Sequence, residues 1–162
     1  MSQRHAMKGP SPRSSHQGEP YIQLELSLRS EVWVISPFVD TLMHFIRKYR
    51  CIPGNEEDIE IALREALANA VIHGNREDTG KEVWFGCRCG NGEVSMVIRD
   101  EGQGFDINEV PDPTTPENIE SSHGSGIYLM KTLMDEVRFE RGGAVVYMRK
   151  SARKPITLKR LY

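Results

Sequence analysis

The sequence lacks any long apolar run. No stretch approaches the roughly 20 consecutive apolar residues that a helix needs to cross a bilayer. The opening segment MSQRHAMKGPSPRSSHQGEP also lacks the apolar middle of a signal peptide. These absences argue against a membrane partner and predict a cytoplasmic protein.

A strong excess of charge of either sign is also missing. The 162 residues include 21 basic and 23 acidic ones, which gives a formal net charge of -2. A chain this close to neutrality has no overall field that would attract a polyanion. Direct binding to nucleic acid is therefore not expected.

Cysteine is scarce and irregularly spaced. The chain has three cysteines, Cys51, Cys87 and Cys89, and no pair of them has the C-x-x-C spacing. An odd number without this spacing predicts neither a disulfide framework nor a zinc site. In the segment FGCRCG, Cys87 and Cys89 would share one face of a strand, which is typical of small core residues.

Composition divides the chain into three parts. Residues 1–19 are rich in Ser, Pro, Gly, Gln and His without apolar periodicity, which predicts a flexible arm. Residues 20–150 have the length and the apolar content of one globular domain. Residues 151–162, SARKPITLKRLY, form a short basic tail.

The first two elements of this domain are predicted from their apolar patterns. YIQLELSLRS alternates apolar and polar residues, as a half-buried strand does. SPFVDTLMHFIRKYR follows with the spacing of an amphipathic helix, capped by Ser36 and with Pro37 at its first position. An earlier start, at Ser30, stays open as an alternative.

The remaining elements complete a recognisable order. A long helix begins after the cap Asn55 and ends at Gly74, and KEVWFGCRCG and NGEVSMVIRD form a hairpin. INEVPDPTTPENIESSH is long enough to be a lid, and it precedes the helix GSGIYLMKTLMDEV and the hairpin VRFERGGAVVYMRK. This order predicts an α+β fold, a two-layer α/β sandwich whose mixed, mostly antiparallel sheet has helices on one face.

Polar residues follow one stripe of the long helix. Ile61, Glu65, Asn69 and His73 are four residues apart, so they lie on one side of it. An unpaired carboxylate or amide is costly to bury, by several kcal/mol. These side chains must therefore face either solvent or a ligand, and on its own the stripe favours solvent.

Two further segments favour a ligand. Asp100 ends an apolar strand and is followed by Gly102 and Gly104 in DEGQGFD. An acid at this point can accept a hydrogen bond from an exocyclic amine, and the glycines allow a ring to approach the backbone. The second segment, Gly124-Ser125-Gly126, directly precedes a helix, whose N-terminus suits phosphate.

Together, these segments resemble a known family. EALANAVIHG, DEGQGFD and HGSGIYLMKTLMDEV look like the N box and the two glycine boxes of the GHKL (Bergerat-fold) ATPases, over about residues 22–150. The single domain is most similar to the bacterial anti-sigma factor serine kinases. The segment LMDEVRFERGGAVVYMRK also resembles the C-terminal end of the proteins in that group. The resemblance implies binding of ATP and Mg²⁺, inhibition of a sigma factor, phosphorylation of a serine on an anti-anti-sigma (STAS-domain) partner, and a homodimer.

The resemblance also implies a role for each matching residue. Glu65 matches the catalytic base and Asn69 the Mg²⁺ ligand, while Asp100 matches the residue that reads adenine. His73 is expected to close the helix, and Asn75 to add a polar wall. The remaining nucleotide contacts implied by the two glycine boxes are Gly102, Gly104, His123, Gly124, Ser125, Gly126 and Ile127.

One departure from the family pattern keeps an alternative function open. The residue between the glycines of the second box is often basic in this group, and here it is Ser125. Charge at the γ-phosphate would then come from His123, Lys131 or the metal ion. Beside the kinase hypothesis stand a nucleotide-dependent binding module without kinase activity that regulates another effector, and a chance match that binds no nucleotide.

Overall fold

The computed structural model of the chain describes residues 22–104 and 124–152. The predicted arm and most of the predicted tail lie outside these residues, as does the predicted lid. Among the described residues, no helix has the length and apolarity to cross a membrane. The elements are β1 (Ile22–Arg29), α1 (Val32–Lys48), α2 (Glu56–Ala68), β2 (Glu82–Gly90), β3 (Glu93–Arg99), α3 (Ser125–Leu133), β4 (Glu136–Glu140) and β5 (Val145–Ser151).

These five strands form one sheet in the order β1-β2-β3-β5-β4. Every neighbouring pair is antiparallel. Both predicted hairpins are confirmed, and in the first of them Asn91 and Gly92 have φ angles of +54° and +71°. Positive φ at both central residues gives the turn whose twist suits a two-residue hairpin.

The helices pack on one face of the sheet and so confirm the predicted two-layer α+β fold. Inward-pointing Val39, Met43, Ile59, Leu63 and Phe85 have no exposed surface. The ring of Phe38 meets the ring of Phe85 edge to face, with centroids 4.9 Å apart. Each such side chain contributes about 1.5–3 kcal/mol when it is buried, so this core fixes the position of α2 over the sheet.

Helix α1 begins earlier than its predicted start at Pro37. Its first residue is Val32 and its N-cap is Glu31, so Pro37 lies inside the helix. Proline there removes a hydrogen bond to the carbonyl of Trp33. Trp33 is 65% exposed, which places this turn at the surface, where water can solvate that carbonyl. The alternative start near Ser30 is therefore the better prediction.

The cysteines follow the prediction in part. Cys87 and Cys89 are buried core residues, as expected. The structure also pairs Cys89 with Cys51 in a disulfide, with Cα atoms 5.6 Å apart. The expectation of no disulfide is corrected here, since spacing along the chain does not show this approach. A reducing compartment would keep the two groups as neighbouring thiols.

A buried lysine ties the helical layer together. Lys150 on β5 is 8% exposed, and its ammonium group lies 2.9 Å from a carboxylate oxygen of Asp58 in the first turn of α2. The same group donates a hydrogen bond to the carbonyl of Leu133 at the end of α3. One side chain thus joins the two helices that contain the predicted site residues.

Candidate functional site

Two residues of the polar stripe face α3. Glu65 and Asn69 are half-buried, and the carboxylate of Glu65 lies against the backbone of Gly126. A β-carbon at Gly126 would be too close to Oε2 of Glu65, so any side chain there would displace that carboxylate. His73 is exposed at the end of the helix. The structure thus brings the N box and the second glycine box together.

Asp100 lies directly after β3, where backbone hydrogen bonds hold it. Its N–H donates to the carbonyl of Ala144 at 3.0 Å. Its Oδ1 accepts the N–H of Gly102 at 2.8 Å. The carboxylate rests on Gly74, where a β-carbon would be 2.7 Å from Oδ1. Glycine at residue 74 therefore makes room for the acid that was predicted to read adenine.

Burial raises the pKa of the Asp100 carboxyl above its ordinary value. The N–H of Gly102 and the charge of Lys81 act in the opposite direction, without cancelling the effect. Burial has removed part of the hydration of the carboxylate. A ligand that donates a hydrogen bond to it would replace the hydrogen bonds from water that it has lost. An exocyclic amine is such a donor.

Asn69 and Asp100 line the same small cavity of about 20 Å³. This volume is close to that of a single water site, so the walls must separate before a ring can enter. Buried Met130 is one wall, and its flexible side chain suits such a movement. The apolar lining of the cavity consists of Ala66, Ala70, Ile98, Met130, Phe139 and Val146.

The start of α3 supplies the positive end of a helix. Gly124 is its N-cap, with a left-handed φ of +89° that favours glycine. The helix has nine residues, and its dipole favours an anion at this end. Ile127 packs against the core beyond it. His123 lies outside the described residues.

Gly104 contacts the turn between β4 and β5. Its φ is +79°, and a β-carbon there would be 2.7 Å from the carbonyl oxygen of Arg141. Gly143 of the same turn lines the cavity. The sequence predicts only a hairpin turn at Gly142 and Gly143. Glycines can also mark a place where another backbone approaches closely.

Asn75 braces the site instead of lining it. Its side chain has no exposed surface. Its Nδ2 donates to the carbonyl of Glu82 at 2.9 Å, and its Oδ1 accepts the N–H of Glu101 at 2.8 Å. The polar wall expected from the sequence is thus a link between three segments. Its partners are main-chain atoms, which the sequence does not mark.

A cluster of three or more His, Cys, Asp or Glu side chains that could hold a metal ion does not occur in residues 22–104 and 124–152. Magnesium does not require one, because it commonly keeps several waters and binds one or two protein groups together with phosphates. The amide of Asn69, one turn from the carboxylate of Glu65, fits this limited requirement. These two residues are therefore suitable neighbours of a metal–phosphate group.

Two larger cavities do not include the residues of the long helix or of the second glycine box. A groove of about 390 Å³ crosses the open face of the sheet and includes Trp84, Gly86 and Tyr147. A second, of about 540 Å³, touches Asp100 and Gly102 from the side of Trp84 and Arg99. Neither contains Glu65, Asn69 or Gly126. Cavity size therefore does not single out the place where the three motifs meet.

Comparison with known proteins assigns the chain to a family. Residues 30–150 match the histidine kinase-like ATPase domain family. The chain belongs to this family. Membership confirms the resemblance to the GHKL ATPases and implies that the domain uses ATP.

Several named proteins are similar in sequence to this chain. The chain is 39% identical over 101 residues to the serine-protein kinase RsbW of Bacillus subtilis, which is 58% of this chain and 63% of that protein. The corresponding identity is 38% for RsbW of Bacillus licheniformis, with the same shares of 58% and 63%. The anti-sigma F factor of Geobacillus stearothermophilus is 36% identical over 136 residues, 80% of this chain and 91% of its own length. The chain thus spans slightly less than two thirds of the RsbW kinases.

Proposed function

We propose that this protein is an ATP-dependent serine/threonine protein kinase that also acts as an anti-sigma factor. The supporting observation is the placement of Glu65 of α2 against Gly126, with Asn69 four residues further on, directly after the end of α2. A carboxylate, an amide and a helix N-terminus meet there beside the cavity that contains Asp100. The similarity to proteins named serine-protein kinase and anti-sigma F factor supports the same proposal.

In the proposed reaction, the carboxylate of Glu65 accepts the proton of a substrate serine hydroxyl. The serine oxygen forms a bond to the γ-phosphorus of ATP, and the bond from that phosphorus to the bridging oxygen breaks, leaving ADP. Phosphoryl transfer depends mainly on positioning and on neutralising charge. A base at Glu65 and a positive helix end at Gly124 meet these needs.

In this function the adenine ring would occupy the apolar cavity, and its exocyclic amine would donate a hydrogen bond to Asp100. The glycines at 74 and 102 permit a ring to come close to the backbone there. Mg²⁺ would be held by Asn69, where it would neutralise charge on the phosphates. The box residues Gly104, Gly124, Ser125 and Gly126 would contact the nucleotide from the backbone side.

We further propose that the acceptor is a serine of an anti-anti-sigma (STAS-domain) protein and that the regulated protein is a sigma factor in the cytoplasm. Direct binding to nucleic acid is not part of the proposal. A partner-switching module that binds ATP without transferring phosphate is the second candidate. Ser125 favours it, because a neutral residue there adds no charge at the γ-phosphate.

Substituting the base separates these two candidates. Glu65→Gln should lower phosphoryl transfer to the STAS partner by roughly 10²–10⁴-fold, the usual contribution of a general base. Binding of Mg-ADP should change by less than about twofold, since Gln keeps the size of the side chain and one hydrogen-bonding oxygen. Phosphoserine is measured by mass spectrometry, and nucleotide binding by calorimetry.

Glu57→Gln is the matched control, because Glu57 is an exposed carboxylate in the first turn of the same helix. It should leave both measurements unchanged. Transfer that persists in Glu65→Gln would remove Glu65 from the role of base. A wild-type protein that binds ADP but never phosphorylates the STAS partner would favour the second candidate.

We also propose that the protein forms a homodimer through the open face of its sheet. One row of aligned residues crosses that face, with Glu25 on β1 at one end and Arg138 on β4 at the other. Two sheets packed face to face about an axis parallel to the strands would set Glu25 of each copy opposite Arg138 of the other. Tyr147 and Val97 in the middle of the row supply apolar surface.

A further inference from the structure

Asn75 is a buried polar residue that the proposed chemistry does not use. Its side chain is fully buried, yet its amide donates to the carbonyl of Glu82 at 2.9 Å and accepts from the N–H of Glu101 at 2.8 Å. A buried amide that lost these partners would cost about 1–3 kcal/mol. Both ends of the amide are therefore needed at this place.

A third hydrogen bond closes a ring around Asn75. The carboxylate of Glu101 accepts the N–H of Glu82 at 2.8 Å. The ring of Asn75, Glu82 and Glu101 thus joins the end of the long helix, the start of β2 and the loop after β3. A network in which each member has a partner restricts all three segments at once.

The neighbours of this ring in the chain are the residues that form the floor of the cavity. Gly74 precedes Asn75, and Asp100 precedes Glu101. The carboxylate of Asp100 rests on Gly74, and a side chain at Gly102 would collide with the carbonyl of Gly74. The hydrogen bond between Asn75 and Glu101 therefore sets the separation between Gly74 and Asp100.

We propose that Asn75 is a positioning residue that determines selectivity for a base with an exocyclic amine. It acts through Asp100, whose carboxylate must lie at hydrogen-bond distance from that amine. The side-chain amide of Asn supplies a donor and an acceptor in one short planar group, whereas ionised Asp lacks the donor and Ala lacks both. The inference rests on the proposed nucleotide site.

The test compares two nucleotides that differ at the atom that Asp100 would read. Mg-ADP carries the exocyclic amine, and Mg-IDP carries a carbonyl oxygen in its place. Calorimetry should show that Asn75→Ala weakens ADP binding roughly tenfold, since a hydrogen bond weakens steeply with poor geometry. Binding of IDP should change by less than about twofold. The ratio of the two affinities is independent of the folded fraction.

Asn55→Ala is the matched control, because Asn55 is 2% exposed and its amide atoms have no hydrogen-bond partner in the described structure. It should leave the ADP to IDP ratio unchanged. In an Asp100→Asn background, Asn75→Ala should no longer alter the ratio, since residues that act through one another are not additive. Asn75→Ser gives the same comparison if Asn75→Ala does not fold.

Equal losses for ADP and IDP would show that Asn75 only supports the fold and would overturn the inference. An unchanged effect of Asn75→Ala in the Asp100→Asn background would overturn it too. These outcomes leave the proposed kinase intact. Failure of the wild-type protein to bind either nucleotide would instead overturn the nucleotide site, and the role of Asn75 with it.

Discussion

The two faces of the sheet differ in what covers them and in the kind of hollow they contain. The inner face is packed against three helices, and its cavity of about 20 Å³ lies where the residues of three motifs meet. The outer face has no helix over it among the described residues, and its groove is about 390 Å³. The larger hollow arises because the sheet is uncovered, whereas the smaller one arises from glycines that let backbone and carboxylate approach.

Glycine serves a different purpose on each face. Gly74 on the inner side makes room for the carboxylate of Asp100, which is fixed by backbone hydrogen bonds. Gly86 on the outer side lies under the ring of Trp84, where a β-carbon would be 2.7 Å from the ring. The ring can turn away, but the carboxylate cannot. The faces should therefore respond differently to the same substitution.

The largest effect should come from Gly74→Ala. The added methyl group would force Asp100 out of place, and overpacking of this kind costs about 1–3 kcal/mol. Binding of Mg-ADP should weaken roughly 10- to 100-fold in calorimetry. Gly86→Ala, the control on the open face, should leave this affinity unchanged. Equal losses in both variants would contradict the distinction between the faces.

An intermediate effect should follow from charge reversal on the open face. Glu25→Arg or Arg138→Glu should each weaken self-association roughly tenfold, because the symmetric contact occurs twice and an exposed pair contributes about 0.2–1 kcal/mol. The double variant should restore association, which sedimentation velocity measures. ADP affinity should not change in any of them. A wild-type protein that stays monomeric would exclude this interface.

The smallest effect concerns Asp100→Asn in the nucleotide-free protein. The folded state raises the pKa of this carboxyl, so it binds the proton more tightly than the unfolded chain does. The contribution of Asp100 to stability therefore falls as the pH rises from the ordinary pKa of Asp through the raised value, and this loss persists above it. Asp100→Asn removes this titration.

The variant should consequently unfold at a slightly higher temperature than the wild type at pH 7, and the difference should disappear at pH values below the ordinary pKa. Thermal unfolding followed by circular dichroism across this range measures it. Lower stability of Asp100→Asn than of the wild type at neutral pH would show that the charged carboxylate stabilises the fold. Asp100 would then have a structural role as well.

Much of this organisation could be predicted from local patterns. The spacing of Glu65 and Asn69 predicts a shared helix face, and Asp100 follows an alternating apolar strand. These signals depend on residues close together in the chain. The fold class and the two hairpins followed from the same kind of pattern, which is why they agree with the structure.

What could not be predicted depends on contacts between distant segments. Asn75 meets main-chain atoms of Glu82 and Glu101, and a main-chain partner leaves no mark in the sequence. The approach of Cys51 to Cys89 and the burial of Lys150 are of the same kind. The sequence left two starts for α1 open, Pro37 and an earlier one near Ser30, since proline favours the first turn of a helix without excluding later positions.

The end of the long helix adds a consequence of its own. Residues Asn69–Gly74 form a π-helical segment, in which the N–H of Asn75 bonds to the carbonyl of Ala70. This wider turn accommodates one residue more than an α-helical turn and shifts the angular phase of everything after it. Within this segment Gly74 meets the carboxylate of Asp100, and His73 is exposed where Glu65 and Asn69 are half-buried. Removing a single residue between Ala70 and His73 should restore an ordinary α-helix and move Gly74 away from Asp100. The length of this segment therefore matters as much as its composition.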